Sequence, residues 1–182
     1  MPIDLSQLKI MLVEDDLAMR NLIKQLLQAF EVGRIEEFNN AQDALREITE
    51  SRPDIVIADW MMEPMDGLAF ARNIRILKNK IVRTVPIIML TGHTERRRVE
   101  QARDSGVNEY LAKPVSASAM YARLQSVIER PRAFIDTRTY HGPDRRRKQI
   151  TLPEGMEDRR GRAGDRKGGP TEGIVFEISD DE

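Results

Sequence analysis

The order of short apolar runs and longer amphipathic stretches constrains the fold of this chain more than any other feature of its sequence. Three apolar runs are clear, at residues 9–13, 54–58 and 85–90. Runs of this length that are continuous rather than alternating are typical of strands covered on both faces. Two weaker candidates, at 34–38 and 107–111, bring the number of predicted strands to five.

The stretches between these runs have the spacing of amphipathic helices. Residues 17–30, for example, place Leu22, Ile23 and Phe30 on one apolar stripe. Strict alternation of strands and helices favours right-handed crossovers, and therefore a doubly wound parallel sheet with helices on both faces. The sequence thus predicts an α/β fold. The predicted helices are 17–30, 40–49, 68–77, 94–104 and 116–128, and Ser116 suits the N-cap of the last.

Composition and charge exclude several other classes of protein. The 182 residues carry a formal net charge of −1 and no cysteine, which rules out disulfides and disfavours a structural zinc site. No apolar run approaches the roughly 20 residues that span a bilayer, and the N-terminus lacks the pattern of a signal peptide. We therefore expect a cytoplasmic protein with no membrane segment.

The composition changes near residue 130. Apolar residues become sparse after this point, and arginine, glycine, proline and aspartate dominate. The pattern predicts a compact domain over 1–130 and a largely disordered tail over 131–182. Within the tail, a mainly basic stretch at 138–167 precedes an acidic end at 172–182.

Residues that carry chemistry follow the predicted strands, at the edge where doubly wound sheets hold their sites. These residues are Glu14, Asp15, Asp59, Thr91 and Lys113. Taken singly, each has an ordinary explanation as a surface acid, a loop lysine or a capping threonine. Together, at four strand ends, they predict a site. Clustered carboxylates repel one another unless a cation is present, and an all-oxygen cluster favours Mg²⁺, which suits phosphoryl chemistry.

Four motifs resemble those of the response regulator receiver (CheY-like) domain family, over about residues 6–130. The motifs are Leu12-Val13-Glu14-Asp15-Asp16 with Arg20, Asp59-Trp60-Met61-Met62 with Pro64, Asp66 and Gly67, Leu90-Thr91-Gly92, and Tyr110-Leu111-Ala112-Lys113-Pro114. The resemblance implies a flavodoxin-like sheet with strand order 2-1-3-4-5. It also implies a phosphoprotein of bacterial two-component signalling rather than an enzyme, since phosphotransfer and self-dephosphorylation are its only chemistry.

The resemblance also implies a phosphoacceptor and a metal site. Asp59 would take the phosphoryl group from a phosphohistidine on a sensor histidine kinase or phosphotransfer protein. Asp15 would bind Mg²⁺ directly, Asp59 would also belong to the metal site, Glu14 would act through a bound water, and Met61 would supply its backbone carbonyl. Each of these roles is an expectation at this point.

Further residues match the family's phosphoryl contacts and its switch. Lys113 and Thr91 would contact the phosphoryl oxygens, which requires positioning and charge neutralisation rather than acid-base chemistry. Thr91 and Tyr110 would switch together and change the surface at 94–130 that a downstream protein recognises. A fixed core position is the alternative for Tyr110.

Two residues match positions that tune the lifetime of the phosphoryl group, Met61 and His93. The apolar Met61 side chain cannot orient an attacking water, so we expect a Met61→Asn variant to lose phosphate faster than the natural protein. Equal rates of self-dephosphorylation in the two proteins would refute this expectation. His93 has a second interpretation as a solvated loop residue.

The tail has too little hydrophobic periodicity to form a DNA-binding domain with its own core, so protein contact is the expected output. The residues predicted to bind a partner are Tyr140, Arg145, Arg146 and Arg147. The leading hypothesis is a single-domain response regulator that relays its signal by phosphorylation-dependent protein binding. A nucleic-acid-associated regulator that uses the basic tail is the alternative, and an inert tail is a third interpretation. A phosphatase is disfavoured because the loop after Asp59 offers no second acid at the required spacing.

Overall fold

The computed structural model describes residues 3–92, 105–137 and 139–144. Five parallel strands form the central sheet in the order β2-β1-β3-β4-β5, which confirms the predicted flavodoxin-like topology. The strands are β1 (Lys9–Val13), β2 (Arg34–Phe38), β3 (Ile55–Asp59), β4 (Ile87–Thr91) and β5 (Glu109–Ala112).

Five helices lie within the described residues. They are α1 (Leu17–Ala29), α2 (Ala41–Ser51), α3 (Gly67–Arg75), α4 (Lys80–Arg83) and α5 (Ala117–Glu129). Ser116 caps α5 as predicted, because its hydroxyl accepts a hydrogen bond from Ala119 N. The short α4 was not predicted, and the helix predicted over 94–104 lies outside the described residues. None of the helices described is both long and apolar enough to cross a membrane.

Alternate residues of the buried strands point to opposite faces of the sheet and fill two separate cores. On one face, Leu12 and Ile57 pack with α1 and α5. On the other face, Val13 and Val56 pack with α2 and α3. Every residue of β3 is buried, which explains why this strand appears in the sequence as a continuous apolar run.

The parallel register brings the carboxyl ends of four strands to one edge of the sheet. Val13 of β1 lies opposite Ala58 of β3, one residue before Asp59. Asp59 in turn lies opposite Leu90, and Thr91 lies opposite Ala112, the residue before Lys113. The residues that follow β1, β3, β4 and β5 therefore face the same region.

Within the segment predicted to be a disordered tail, the structure describes residues 131–137 and 139–144. Strands β6 (Phe134–Asp136) and β7 (His141–Pro143) pair in antiparallel fashion. The contacts that anchor the hairpin include the ion pair of Asp136 with Arg83 and the cation–π contacts of Phe134 with Arg75 and Arg83, which leave no apolar periodicity in the sequence. The rest of the predicted tail, from 145 to 182, lies outside the described residues.

Candidate functional site

Three carboxylates meet at the carboxyl edge of the sheet. Glu14, Asp15 and Asp59 each place one oxygen so that the three oxygens lie within 4.8 Å of one another. Glu14 is fully buried and Asp59 is 5% exposed, whereas Asp15 is exposed to solvent. The cluster therefore has a buried base and an open side through which a ligand can enter.

Lys113 lies between the two buried carboxylates. Its Nζ is 2.9 Å from Asp59 Oδ1 and 3.0 Å from Glu14 Oε2. Burial alone would lower the pKa of Lys113, but the hydrogen bonds and charges of Asp59 and Glu14 outweigh it and raise that pKa. The ammonium group consequently stays protonated and offsets part of the negative charge.

Glu14 carries the largest pKa perturbation in the cluster. Burial, reinforced by the charge of Asp59, raises the pKa of Glu14 from 4.5 to about 7, although contacts with Lys113 act in the opposite direction. When all groups are ionised, three carboxylates face a single ammonium among the residues that the structure describes. The excess negative charge makes this a site that a cation would stabilise.

The raised pKa of Glu14 predicts a pH-dependent cost to folding in metal-free buffer. The native state holds the Glu14 proton between the unfolded pKa of 4.5 and the native value of about 7, so the free energy of unfolding falls as the pH rises through this window. This shift in the pKa of Glu14 corresponds to a loss of at most about 3 kcal/mol in the free energy of unfolding. Glutamine cannot ionise, and the shift already includes the contacts with Lys113, so we expect Glu14→Gln to raise the free energy of unfolding at pH 8 by up to about 3 kcal/mol.

Urea denaturation at pH 5 and pH 8 checks this prediction. The increase in the free energy of unfolding caused by Glu14→Gln should be larger at pH 8 than at pH 5. The control variant Glu47→Gln, at an exposed position of α2, should show no such difference between the two pH values. A Glu14→Gln protein that is equally or less stable than the natural one at pH 8 would contradict the account of the cluster.

The phosphoacceptor candidate, Asp59, is fixed in orientation by its neighbours. Asp59 Oδ1 accepts hydrogen bonds from Trp60 N at 2.8 Å and from Lys113. The loop after Asp59 folds back closely, since Gly67 N donates to Trp60 O at 2.9 Å. A Cβ at Gly67 would lie 2.1 Å from the Asp59 carbonyl oxygen, so only glycine permits this approach.

The turn between β1 and α1 is held by side chains that the sequence motif contains. Asp16 caps α1 by accepting from Met19 N at 2.7 Å. Arg20 Nη1 donates to Glu14 O at 2.6 Å, and Glu14 N donates to Phe38 O at 3.1 Å. These contacts fix the backbone that presents Glu14 and Asp15.

The other predicted site residues that the structure describes lie on or just after strands β3, β4 and β5, with one exception. Thr91 is half-buried at the end of β4, and Met61 is 62% exposed in the loop after Asp59. Tyr110 is half-buried on β5, and its ring centroid is 6.5 Å from that of Trp60. Tyr140 is the exception, because it lies in the hairpin, where its hydroxyl donates to Pro143 O at 2.7 Å.

Some predicted residues lie outside the described part of the chain. These are His93, Arg145, Arg146 and Arg147. Conversely, Gly67 and Arg20 appeared in the family motif without an assigned role, and the structure supplies one for each. In the sequence, the glycine directly after Asp66, at the start of an amphipathic stretch, was the feature that could have indicated the close approach of Gly67 to the backbone of Asp59.

Comparison with protein families assigns most of the chain. The family model described as the response regulator receiver domain matches residues 10–125. The chain is 30% identical over 123 residues to the chemotaxis protein CheY-3 of Vibrio cholerae, covering 68% of this chain and 93% of that protein. It is 31% identical over 121 residues to the phosphate regulon transcriptional regulatory protein PhoB of Pseudomonas aeruginosa, covering 66% of this chain and 52% of PhoB.

Solved structures agree in fold. The chemotaxis response regulator CheY4 of Vibrio cholerae superposes with a TM-score of 0.61 at 26% identity, over 66% of this chain and 98% of CheY4. The receiver domain of a Pseudomonas aeruginosa sensor histidine kinase, described with a magnesium ion coordinated in its active site cleft, gives a TM-score of 0.59 at 30% identity. That match covers 65% of this chain and 94% of the other. With its acidic cluster, its lysine and its 2-1-3-4-5 sheet, the chain belongs to the response regulator receiver domain family of two-component signalling.

Proposed function

We propose that this chain accepts a phosphoryl group on Asp59 from a phosphohistidine of a sensor histidine kinase or phosphotransfer protein. The contact between Asp59 Oδ1 and Lys113 Nζ inside an acidic cluster is the main support for this proposal. This arrangement orients one carboxylate and keeps a cation beside it. It also leaves the exposed side of the cluster, marked by Asp15, open to a donor.

In the proposed transfer, an oxygen of Asp59 forms a bond to phosphorus while the bond from phosphorus to the imidazole nitrogen breaks. The nitrogen keeps the electron pair of the broken bond, and Asp59 becomes an acyl phosphate. Asp59 needs no proton transfer, since it reacts as a carboxylate. Lys113 would donate to the phosphoryl oxygens, and Thr91, at the neighbouring strand end, would donate to one of them from its hydroxyl.

The donor set of the cluster fits Mg²⁺. All three groups are carboxylates, which hard cations such as Mg²⁺ prefer, and they converge within 4.8 Å. Asp15 and Asp59 would bind the ion directly, and Glu14 would act through a water. The Met61 backbone carbonyl would be the remaining ligand from the protein. The bound ion would supply neutralisation of charge on the transferred group. A magnesium-containing relative supports this assignment.

The signal would leave the domain by protein binding that depends on phosphorylation. Thr91 and Tyr110 lie at the two strands next to the site, and the Tyr110 ring is 6.5 Å from that of Trp60, which follows Asp59 directly. A change at the phosphoacceptor can therefore reach the surface of β5 and α5 through a short path. A downstream protein would recognise this surface.

Mg²⁺-dependent phosphorylation of the full chain by a small donor such as acetyl phosphate tests the proposal. We expect the natural protein to gain one phosphoryl group and an Asp59→Asn variant to gain none. Asp54→Asn is the matched control, because Asp54 precedes the opposite end of the same strand. Labelling that does not depend on Mg²⁺ would contradict the proposed metal site.

A further inference from the structure

The hairpin of β6 and β7 lies beyond the region that matches the receiver family, which ends at residue 125. The hairpin has its own backbone hydrogen bonds. Thr137 N donates to Tyr140 O at 2.9 Å, and Asp144 N donates to Ala133 O at 2.7 Å. This chain therefore adds a folded element to the family domain.

The hairpin is anchored by two arginines of the domain. The guanidinium carbons of Arg75 and Arg83 each lie 5.8 Å from the centroid of the Phe134 ring. Asp136 accepts from Arg83 Nη2 at 2.6 Å, and its other oxygen contacts His141 Nδ1 at 2.5 Å. Anchoring thus combines an aromatic contact with an ion pair.

Arg75 also joins the segments that lead into β4 and β5. It is 2% exposed, and its Nη1 donates to Arg83 O at 2.7 Å and to Val85 O at 2.8 Å, just before β4. Its Nε donates to Gly106 O at 2.9 Å and its Nη2 to Asn108 Oδ1 at 3.0 Å, just before β5. The same guanidinium therefore contacts the hairpin and the starts of two adjacent strands.

A second contact joins the C-terminal segment to β5. Arg132 Nη2 is 3.0 Å from Glu109 Oε1, and the Ser126 hydroxyl donates to the same oxygen at 3.2 Å. Glu109 is the first residue of β5 and directly precedes Tyr110. The segment from 131 to 144 consequently contacts β5 both at its start and just before it.

The opposite ends of β4 and β5 carry the proposed phosphoryl contacts. Thr91 ends β4, and Lys113 follows β5. We propose that hairpin docking and phosphorylation of Asp59 are thermodynamically coupled, a proposal that rests on the proposed function. The docked hairpin stabilises the unphosphorylated state.

Lys113 Nζ contacts Asp59 Oδ1 and Glu14 Oε2 while Arg75 and Arg132 hold the start of β5. Phosphorylation would move the Lys113 contacts to the phosphoryl oxygens, so the contacts that hold β5 in its present position oppose it. By reciprocity, phosphorylation weakens docking to the extent that docking weakens phosphorylation.

Titration of the full chain with beryllofluoride in the presence of Mg²⁺ tests the coupling. Trp60 is the only tryptophan of the chain and follows Asp59, so its fluorescence reports on the site. We expect Phe134→Ala, which removes the ring from both guanidinium groups, to bind beryllofluoride about threefold or more tightly than the natural protein. Thr139→Ala, at an exposed position of the same hairpin, should bind it as the natural protein does.

Hydrogen exchange supplies the reciprocal measurement. Amides of Thr137 and Asp144 should exchange faster when beryllofluoride is bound to the natural protein, and Asp59→Asn should show no such change. Unchanged or weaker beryllofluoride binding by Phe134→Ala, with faster hairpin exchange, would overturn the coupling and leave the proposed function intact. Failure of the natural protein to bind beryllofluoride would overturn both. Asp136→Asn gives the same readouts if Phe134→Ala does not fold.

Discussion

Replacing Lys113 by methionine is expected to slow the phosphorylation of Asp59 about 100- to 1000-fold. The Lys113 ammonium lies 2.9 Å from Asp59 Oδ1, where it can donate to the phosphoryl oxygens as the new bond forms. Methionine preserves the length of the side chain and removes the charge and the donors. The rate of phosphoryl uptake from acetyl phosphate, measured by intact mass over a pH series, gives the effect directly.

The pH series separates two consequences of the Lys113 substitution. Lys113 lowers the pKa of Glu14, so that its loss raises this pKa and keeps more of the cluster protonated near neutral pH. If phosphorylation is still slow at high pH, where Glu14 is ionised, the slower rate is caused by the loss of the Lys113 ammonium group. Lys78→Met, at an exposed position, serves as the control. A Lys113→Met protein that is phosphorylated at the natural rate would refute the role of Lys113.

Replacing Arg75 by leucine is expected to lower the free energy of unfolding by about 3 kcal/mol. The guanidinium satisfies three backbone carbonyls and the Asn108 amide oxygen in a buried position. Burial lowers the pKa of Arg75 to about 10, which still leaves the group protonated at neutral pH. Leucine would fill part of the volume but leave these acceptors without their donor. The loss also removes one of the two guanidinium groups that contact Phe134.

Urea denaturation of Arg75→Leu and Arg72→Leu provides the comparison. Both arginines belong to α3, but Arg72 is exposed, so its replacement should change the free energy of unfolding by less than about 0.5 kcal/mol. Equal stabilities for the two variants would show that the carbonyls around Arg75 find other partners, and that the arginine does not hold the starts of β4 and β5 together.

The sheet and the acidic edge could be predicted because both depend on local patterns. Continuous apolar runs mark strands buried on both faces, and β3 has every residue buried, as its run of Ile55 to Ala58 indicates. The rule that parallel strands present their carboxyl ends at one edge then brings Glu14, Asp59 and Lys113 together. The structure places these groups in contact. Their roles in phosphotransfer remain predictions.

Long-range polar contacts could not be predicted from such patterns. Arg75 occurs in an amphipathic helix like any surface arginine, and nothing in its local sequence indicates that Val85, Gly106 and Asn108 supply its acceptors. The hairpin of β6 and β7 could not be predicted either, because long-range polar contacts also anchor it. Its anchor is one aromatic ring between two guanidinium groups, together with the ion pair of Asp136 with Arg83.

Mapping the phosphoryl group to a single residue decides whether Asp59 is the phosphoacceptor. The full chain is treated with acetyl phosphate and Mg²⁺, the acyl phosphate is trapped by borohydride reduction, and the modified peptide is identified by mass spectrometry. We expect one modified residue, Asp59, and no modification in Asp59→Asn. Phosphoryl uptake by Asp59→Asn at the natural rate, or trapping on another residue of the natural protein, would contradict this expectation.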